Sequence, residues 1–458
     1  MNFPVDALRW TAAAAVLLLY AALCAAVWLH ERRKARRAVE DAARLLPARA
    51  GVASILVAYA SQTGFAEELA WQTGKLLHTA GEPVQVLPLG QVDAAQLAAA
   101  HRAIFIVSTY GEGDPPDNAA AFVRKVMGAT AALPDLRYAV LALGDRQYAN
   151  FCGFGRGLDA WLEAAGAQRY FERIDLDNAD PVTLQDWWRQ LGHIASIDAV
   201  PAWEEQPWGD WTLAERRLLN AGSAGRPIFH LEFAPPAGTA PVWESGDLVQ
   251  LRLEADPDHP REYSIGSIAA DGRVHLLVRR EQRADGSPGL ASGWLTDGLA
   301  PGGTASMRLR AHRNFRLDGN QQRPLILIGN GSGLAGLRGH LKARAASGSG
   351  PNWLVFGERN AAHDFHHRSE IEAWQQSGLL QRLDLAFSRD QAERVYVQHR
   401  LAAAAQELRN WVDQGAAIYV CGSLKGMAQN VDDALAEALG RDALEQLAAQ
   451  GRYRRDVY

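Results

Sequence analysis

The sequence predicts two parallel α/β units separated by an antiparallel β-barrel, with one membrane-spanning helix in front of them. Three observations carry this. Apolar strand runs alternate with helical periods over 53–198 and again over 323–458. Between them, over 213–322, short apolar runs are broken by Gly, Pro and Asp turns, the pattern of an antiparallel barrel. Ahead of all three, the run from Trp10 to Leu29 carries no charge. A length of 458 residues suits about three domains. The net charge of −5 offers no basic face to a nucleic acid. Cys24, Cys152 and Cys421 lie far apart and form no CxxC, which argues against a disulfide framework or zinc site and suits a reducing compartment.

As a helix, the run from Trp10 to Leu29, within a predicted transmembrane segment of 8–30, would be about 30 Å long, the thickness of a bilayer core. Trp10 and Trp28 sit near its ends, where interfacial aromatics collect. Arg32, Arg33, Lys34, Arg36 and Arg37 follow it, and only Asp6 and Arg9 precede it. A cleaved signal peptide has the opposite charge order. The positive-inside rule then predicts a single-pass protein of the inner membrane, with a basic linker over 31–52 and all later domains in the cytoplasm.

In the first soluble unit, 53–198, the informative residues stand at strand ends, where parallel sheets bind ligands. The strand run Ser54–Ala60 leads into Ser61-Gln62-Thr63-Gly64 and a helix over Phe65–His78. Hydroxyls and N–H groups at a helix start can cradle a phosphate; alone, the same residues are an ordinary cap. The run Ala103–Ser108 continues as Thr109-Tyr110-Gly111-Glu112-Gly113-Asp114-Pro115-Pro116-Asp117-Asn118. The run Tyr138–Leu143 continues as Gly144-Asp145-Arg146-Gln147-Tyr148, with Phe151-Cys152 beyond. Tyr110 and Tyr148, on neighbouring loops, could sandwich a flat ring system. These loops resemble the FMN-binding loops of flavodoxins, in the form found in diflavin reductases such as the sulfite reductase flavoprotein subunit and microsomal NADPH–haemoprotein reductase. The resemblance implies that Ser61 to Gly64 hold the FMN phosphate and that Tyr110 and Tyr148 flank the isoalloxazine. It also marks Ser108, Thr109, Gly111, Leu143, Gly144, Asp145, Phe151, Cys152 and, after the fifth strand, Asp175.

The stretch from Val200 to Trp211 is rich in Pro, Trp and acid and has no period, so it reads as a hinge over 199–212. In the next unit, 213–322, the runs Pro227–Phe233, Leu248–Leu253 and Val274–Val278 frame two motifs. Arg261-Glu262-Tyr263-Ser264 puts a cation, an aromatic face and a hydroxyl on one strand. Gly289-Leu290-Ala291-Ser292 opens a helix whose N–H groups suit a pyrophosphate. A lone RxYS recurs by chance; the pair resembles the FAD domain of the ferredoxin-reductase family. That resemblance implies Arg261 on the pyrophosphate, Tyr263 on the flavin face, Ser264 at flavin N5, and Val278 and Gly289 to Ser292 in the same site. Larger diflavin reductases insert a helical connecting domain before the RxYS strand. Here only a short stretch separates Val249 from Arg261, so FMN must approach FAD by another geometry.

In the last unit, 323–458, the run Leu325–Ile328 enters Gly329-Asn330-Gly331-Ser332-Gly333-Leu334-Ala335, either a phosphate cradle or a tight turn. Further strand runs are Trp353–Phe356, Leu383–Phe387 and Ala417–Val420. After Phe387 comes Ser388-Arg389-Asp390, then Arg394-Val395-Tyr396-Val397-Gln398. Two cations with Ser and Tyr suit a 2′-phosphate, where an NAD site places an acid; out of context two arginines are simply solvated. These segments resemble the family's SRD and KVYVQ motifs, with Arg394 for Lys, which implies NADPH rather than NADH. Tyr419-Val420-Cys421-Gly422-Ser423 resembles its YVCGD segment and implies Cys421 beside the nicotinamide; a buried structural cysteine is the alternative. Ser423 and Asn430 stand where the family has Asp, which removes negative charge there and puts hydride-transfer efficiency in question. Arg454-Arg455-Asp456-Val457-Tyr458 is closely similar to the end of the sulfite reductase flavoprotein. That implies a lid at Tyr458 and a polar set of Ser264, Cys421 and Asp456 around the hydride path. His363 and His367 form an i, i+4 pair beside His366, but no further ligand is evident, so a metal site is not expected.

Together these features imply an α/β flavodoxin-like domain, an antiparallel β-barrel FAD domain and an α/β NADP-binding domain behind one N-terminal transmembrane helix. The activity implied is an NADPH-dependent flavoprotein oxidoreductase using FMN and FAD, which carry the chemistry. Its acceptor would be a haem or other redox protein, a reductase partner, or a ferric chelate. The alternative is a flavin-binding membrane redox sensor that signals to a partner.

Overall fold

The computed structural model describes residues 54–195, 207–283 and 285–458. The first sheet contains β1 (Ile55–Ala60), β2 (Val84–Pro88), β3 (Arg102–Ser108), β4 (Arg137–Gly144), β5 (Gln168–Arg169) and β6 (Ile174–Asp177). All pairs are parallel, in the order β2-β1-β3-β4-β5, with β6 also on β4. β1 is buried along its whole length because helices cover both faces. Its alternate residues feed two cores: Ile55, Val57 and Tyr59 on one side, Leu56, Ala58 and Ala60 on the other. Helix Phe65–Thr79 packs on β1 and starts directly at the loop that ends it.

The second sheet holds β7 (Gly209–Leu218), β8 (Ile228–Ala234), β9 (Leu248–Leu253), β10 (Asp256–Ser264), β11 (Val274–Arg279) and β12 (Thr304–Arg310). It is antiparallel, in the order β10-β9-β12-β7-β8-β11, around one core that includes Trp211, Leu231, Val249 and Met307. The end strands β10 and β11 are not paired in the ladder, and just past β10 the Gly266 N–H donates to His275 O of β11 at 2.8 Å. β9 turns straight into β10, pairing Val249 with Tyr263 and Leu251 with Arg261. The expected hinge is shorter at its end: residues 209–212 belong to β7, because Trp211 and Leu213 alternate into the core. Residues 196–206 lie outside the described residues.

The third sheet holds β13 (Leu325–Asn330), β14 (Asn352–Glu358), β15 (Leu380–Phe387), β16 (Ala417–Gly422) and β17 (Tyr453–Val457), all parallel, in the order β15-β14-β13-β16-β17. The C-terminal segment ahead of Tyr458, the residue expected to be a lid, is therefore an edge strand. Helix Leu334–Ser347 follows the Gly331–Gly333 turn and packs on β13, β16 and the second sheet's β11.

The stretch 8–30 and the linker 31–52 lie outside the described residues. The inner-membrane localisation drawn from them is corrected: among the described residues no helix is long and apolar enough to cross a membrane.

Candidate active site

Three strands from two sheets meet at one buried point. The β16–β17 register sets Cys421 opposite Asp456, and β10 ends there with Ser264. Ser264 Oγ donates to Asp456 Oδ2 at 2.6 Å, and Cys421 Sγ donates to the same oxygen at 3.6 Å. All three residues are buried. Burial first, and the Asp456 carboxylate second, push the Cys421 thiol well above its ordinary pKa. It is thus a neutral donor rather than a nucleophile. Beside this set Tyr458 is 55% exposed; its N–H bonds to Gly422 O at 3.0 Å and its hydroxyl lies 3.3 Å from Ser332 Oγ.

The Gly331–Gly333 turn serves two purposes. A Cβ at Gly333 would lie 2.1 Å from the Cys421 carbonyl oxygen, so this glycine is required for packing against β16. At Gly331, with φ +55°, a Cβ would collide with the Arg279 guanidinium. Arg279 reaches across from β11 and is held by Glu358 at 2.8 Å. A cation over a glycine turn at the end of β13 fits the diphosphate of a dinucleotide. Ser388 is buried at the end of β15, whereas Arg389, Arg394 and Tyr396 are exposed and Gln398 is half-buried. Asp390 turns away, accepting from Asn360 Nδ2 and Ala361 N. Among the described residues no carboxylate pairs with Arg389 or Arg394, which suits a site for a phosphate. Asn430 is bonded to the Gly426 carbonyl in the helix after β16.

In the first domain Gly64, at φ +93°, is the N-cap of the helix after β1 and donates to Ser61 Oγ at 2.9 Å, so the Ser61 hydroxyl closes the loop ahead of the helix. Ser61 N donates to Asn118 Oδ1 at 3.0 Å, and the Gln62 side-chain amide donates from Nε2 to Asp117 Oδ2 and accepts at Oε1 from Asp117 N. Asn118 Nδ2 is left buried with no partner, an orphaned donor beside the loop that a bound phosphate or flavin oxygen would satisfy. Between the loops that follow β3 and β4 an open cavity of about 480 Å³ is lined by Glu112, Gly113, Asp114, Asn150, Phe151 and Arg156. Tyr148 is 47% exposed and offers a face at this end of the sheet, whereas Tyr110 is half-buried and packs against the core of the third sheet. These features fit FMN.

Several expected contacts are already engaged within the fold. Ser108 Oγ bonds to Ala60 O, and Thr109 Oγ1 accepts from Phe154 N. Cys152 is buried packing: its thiol bonds to Ala142 O and burial pushes its pKa up to about 12. Gly144 leaves room for the Cys152 backbone, where a Cβ would sit 2.7 Å from its nitrogen. Asp175 is paired with Arg156 at 3.0 Å and Arg173 at 2.7 Å. Arg261 is tied to Asp256 at 2.9 Å within its own hairpin. Tyr263 packs on the core of the second sheet. Gly289 to Ser292 opens a short helix, Leu290–Gly293, that continues as a π-helical stretch over Trp294–Gly298, and Ser292 Oγ accepts from Glu281 N.

Sequence reading missed the seam between domains. Tyr110 OH donates to Val457 O at 2.7 Å, and Arg455 Nε donates to Asp117 Oδ2 at 2.7 Å. His312 Nε2 meets Gln62 O at 3.0 Å, and Asn314 Nδ2 donates to Ser61 O at 2.8 Å. It also missed a buried cluster of His230, Glu232 and His275, whose ligand atoms lie within 4.8 Å of one another. Period-two spacing of His230 and Glu232 on β8 was the available signal. Arg338 Nη1 donates to His275 Nδ1 at 3.2 Å, so the ring's proton faces Glu232 from Nε2. A proton, not a lone pair, points at the centre, which disfavours a metal.

The comparisons agree with this geometry. The family model described as flavodoxin matches residues 57–188, and the one described as oxidoreductase NAD-binding domain matches 327–433. The chain is a flavoprotein oxidoreductase. Curated relatives include the NADPH sulfite reductase flavoprotein alpha-components of Bacillus subtilis, Neisseria meningitidis and Yersinia enterocolitica. They are 27%, 29% and 28% identical, over 90%, 88% and 92% of this chain and 90%, 89% and 92% of their own lengths. The two domains and these relatives together support a diflavin reductase family. The Bacillus alignment spans 548 positions, more than the 458 residues here, so that relative carries residues this chain does without.

Proposed function

We propose that the chain is an NADPH-dependent diflavin reductase that passes electrons from NADPH through FAD and FMN to an external redox protein. When bound, the two flavins supply the conversion of a two-electron donor into single electrons. The observation that carries the reading is the continuity of the two ends: Tyr110 of the flavodoxin loops bonds to Val457, one residue from both Asp456 and Tyr458.

FMN would be held by Ser61 to Gly64, Asn118, Tyr110 and Tyr148. FAD would be held by Arg261, Tyr263, Val278 and the Gly289–Ser292 turn. NADPH would be held by Gly331 to Gly333, Arg279, Ser388, Arg389, Arg394, Tyr396 and Gln398, with Asn430 nearby. The protein's own work is positional. Asp456 fixes the hydroxyl of Ser264 and the thiol of Cys421 on one carboxylate oxygen, so two protons stay at defined atoms beside the donor site. Tyr458 covers the outer side of that point. A redox protein is favoured as acceptor over a ferric chelate because Tyr148 and the acidic loop residues Glu112 and Asp114 lie open at the flavodoxin end.

The test is flavin content and acceptor range of the purified chain. FMN and FAD in equal amounts, with NADPH-dependent reduction of cytochrome c faster than that of ferric citrate, are expected. A single flavin overturns the two-flavin reading, and a chelate preference overturns the protein acceptor.

A further inference from the structure

The seam between the flavodoxin domain and the second sheet is built on the loop expected to hold the FMN phosphate. Asn314 donates to the carbonyl of Ser61 at 2.8 Å, and His312 Nε2 meets the carbonyl of Gln62 at 3.0 Å. A carbonyl only accepts, so the His312 proton is on Nε2. The fit is close: a Cβ at Gly64 would stand 3.1 Å from Ala311 O, and the Arg310 guanidinium lies 5.2 Å over the Phe65 ring. His312 is held in turn by its own N–H on Asp247 at 3.0 Å and by stacking on Phe315.

A trans peptide is planar, with its C=O and the following N–H on opposite sides. The Ser61 carbonyl shares a plane with the Gln62 N–H, and the Gln62 carbonyl shares one with the Thr63 N–H. If both carbonyls face the second sheet, both N–H groups face away from it, into the phosphate loop. Donation to a carbonyl also polarises its peptide and strengthens the N–H on the far side.

We infer that His312 and Asn314 are positioning residues that couple docking of the flavodoxin domain to FMN binding, by orienting and polarising the two peptides that hold the phosphate. The inference rests on the assignment of Ser61 to Gly64 to FMN. Linkage makes the coupling reciprocal: docking tightens FMN, and FMN loading tightens docking. It also supplies a route by which a chain without a connecting domain sets the two flavin sites against each other, since the grip is on the FMN loop itself.

The test uses the full-length chain, depleted of FMN and titrated with FMN while flavin fluorescence is followed, with bound FAD measured in parallel. Asn314→Asp sets a carboxylate against the Ser61 carbonyl, and His312→Ala removes the second donor. Each is expected to weaken FMN about 3- to 10-fold, as for loss of one hydrogen bond, with FAD content unchanged. His312→Gln, which restores an N–H donor, should recover most of the affinity. Unchanged FMN affinity in both variants, with normal binding in the parent chain, overturns the coupling. If the parent chain takes up no FMN, the assignment of the loop has failed instead. Equal loss of FMN and FAD would mark general unfolding and also overturn it.

Discussion

At the donor end, Ser264, Cys421 and Asp456 bond to one another inside a shared wall of two sheets. At the flavodoxin end, Ser61, Gln62, Tyr110 and Asp117 find partners across a domain seam, and the Arg455–Asp117 pair remains partly exposed. The first arrangement is fixed by folding. The second is made of a few separable hydrogen bonds and screened ion pairs, Arg455 with Asp117 and Arg124 and Lys125 with Glu445, each contact worth about 1 kcal/mol. The difference matches the proposed tasks. Transfer from the nicotinamide needs one geometry, whereas a flavodoxin domain that serves an external partner must be able to leave its seat.

The comparison breaks most visibly at Asp456. Replacing it with Ala leaves the Ser264 hydroxyl and the Cys421 thiol buried without their acceptor. NADPH-dependent reduction of ferricyanide should fall about 100-fold, with flavin content retained. A loss below threefold would show that the buried set is packing only.

Next in size is the exposed phosphate end. Arg394→Ala should raise KM for NADPH about 10- to 30-fold and leave KM for NADH nearly unchanged, because only the 2′-phosphate uses this cation. Equal effects on both coenzymes would return Arg394 to the class of solvated surface charges.

The seam itself is probed by charge reversal. Asp117→Arg should lower cytochrome c reduction about tenfold at low salt and leave ferricyanide reduction within twofold, since the donor end is untouched. Pairing it with Arg455→Asp should restore most of the rate. A double variant no better than the single one would sink the ion pair as a docking contact.

The legible and illegible parts of the molecule divide along the same line. β1, β3, β13 and the Gly331 turn were readable because a strand run and the loop that ends it are contiguous in sequence. The seam was not, since Asn314 and Ser61, or Arg455 and Asp117, are 253 and 338 residues apart and neither stands in a periodic pattern. β17 escaped for another reason. Its segment Tyr453-Arg454-Arg455-Asp456-Val457 is charged, and it is an edge strand whose arginines reach Asp318 and Asp117 while only Asp456 and Val457 are buried. At the loop expected to hold FMN the sequence pointed to hydroxyls, whereas Ser61 Oγ accepts from Gly64 N and the orphaned donor belongs to Asn118, 57 residues away from Ser61.

The smallest effect concerns a third kind of polar site, neither donor set nor seam. His275 is buried under the guanidinium of Arg338, near Glu232, His230 and, through Glu232, Arg273. Burial first and Arg338 second hold its pKa down to about 4. In the unfolded chain it titrates near 6.5. As pH falls below that value the unfolded state takes up a proton that the folded state refuses, so stability is lost progressively until about pH 4. Between pH 6.5 and 5.5 this one group should cost on the order of 1 kcal/mol, about a fivefold change in the folding equilibrium. His230 and His367 are shifted in the same direction, so the whole chain should lose more than that. Urea melts at the two pH values should show a smaller loss in His275→Gln than in the parent, by about that fivefold. An identical loss in both would mean that His275 is exposed to solvent protons in the native state, and that the cluster is not sealed between the second and third sheets.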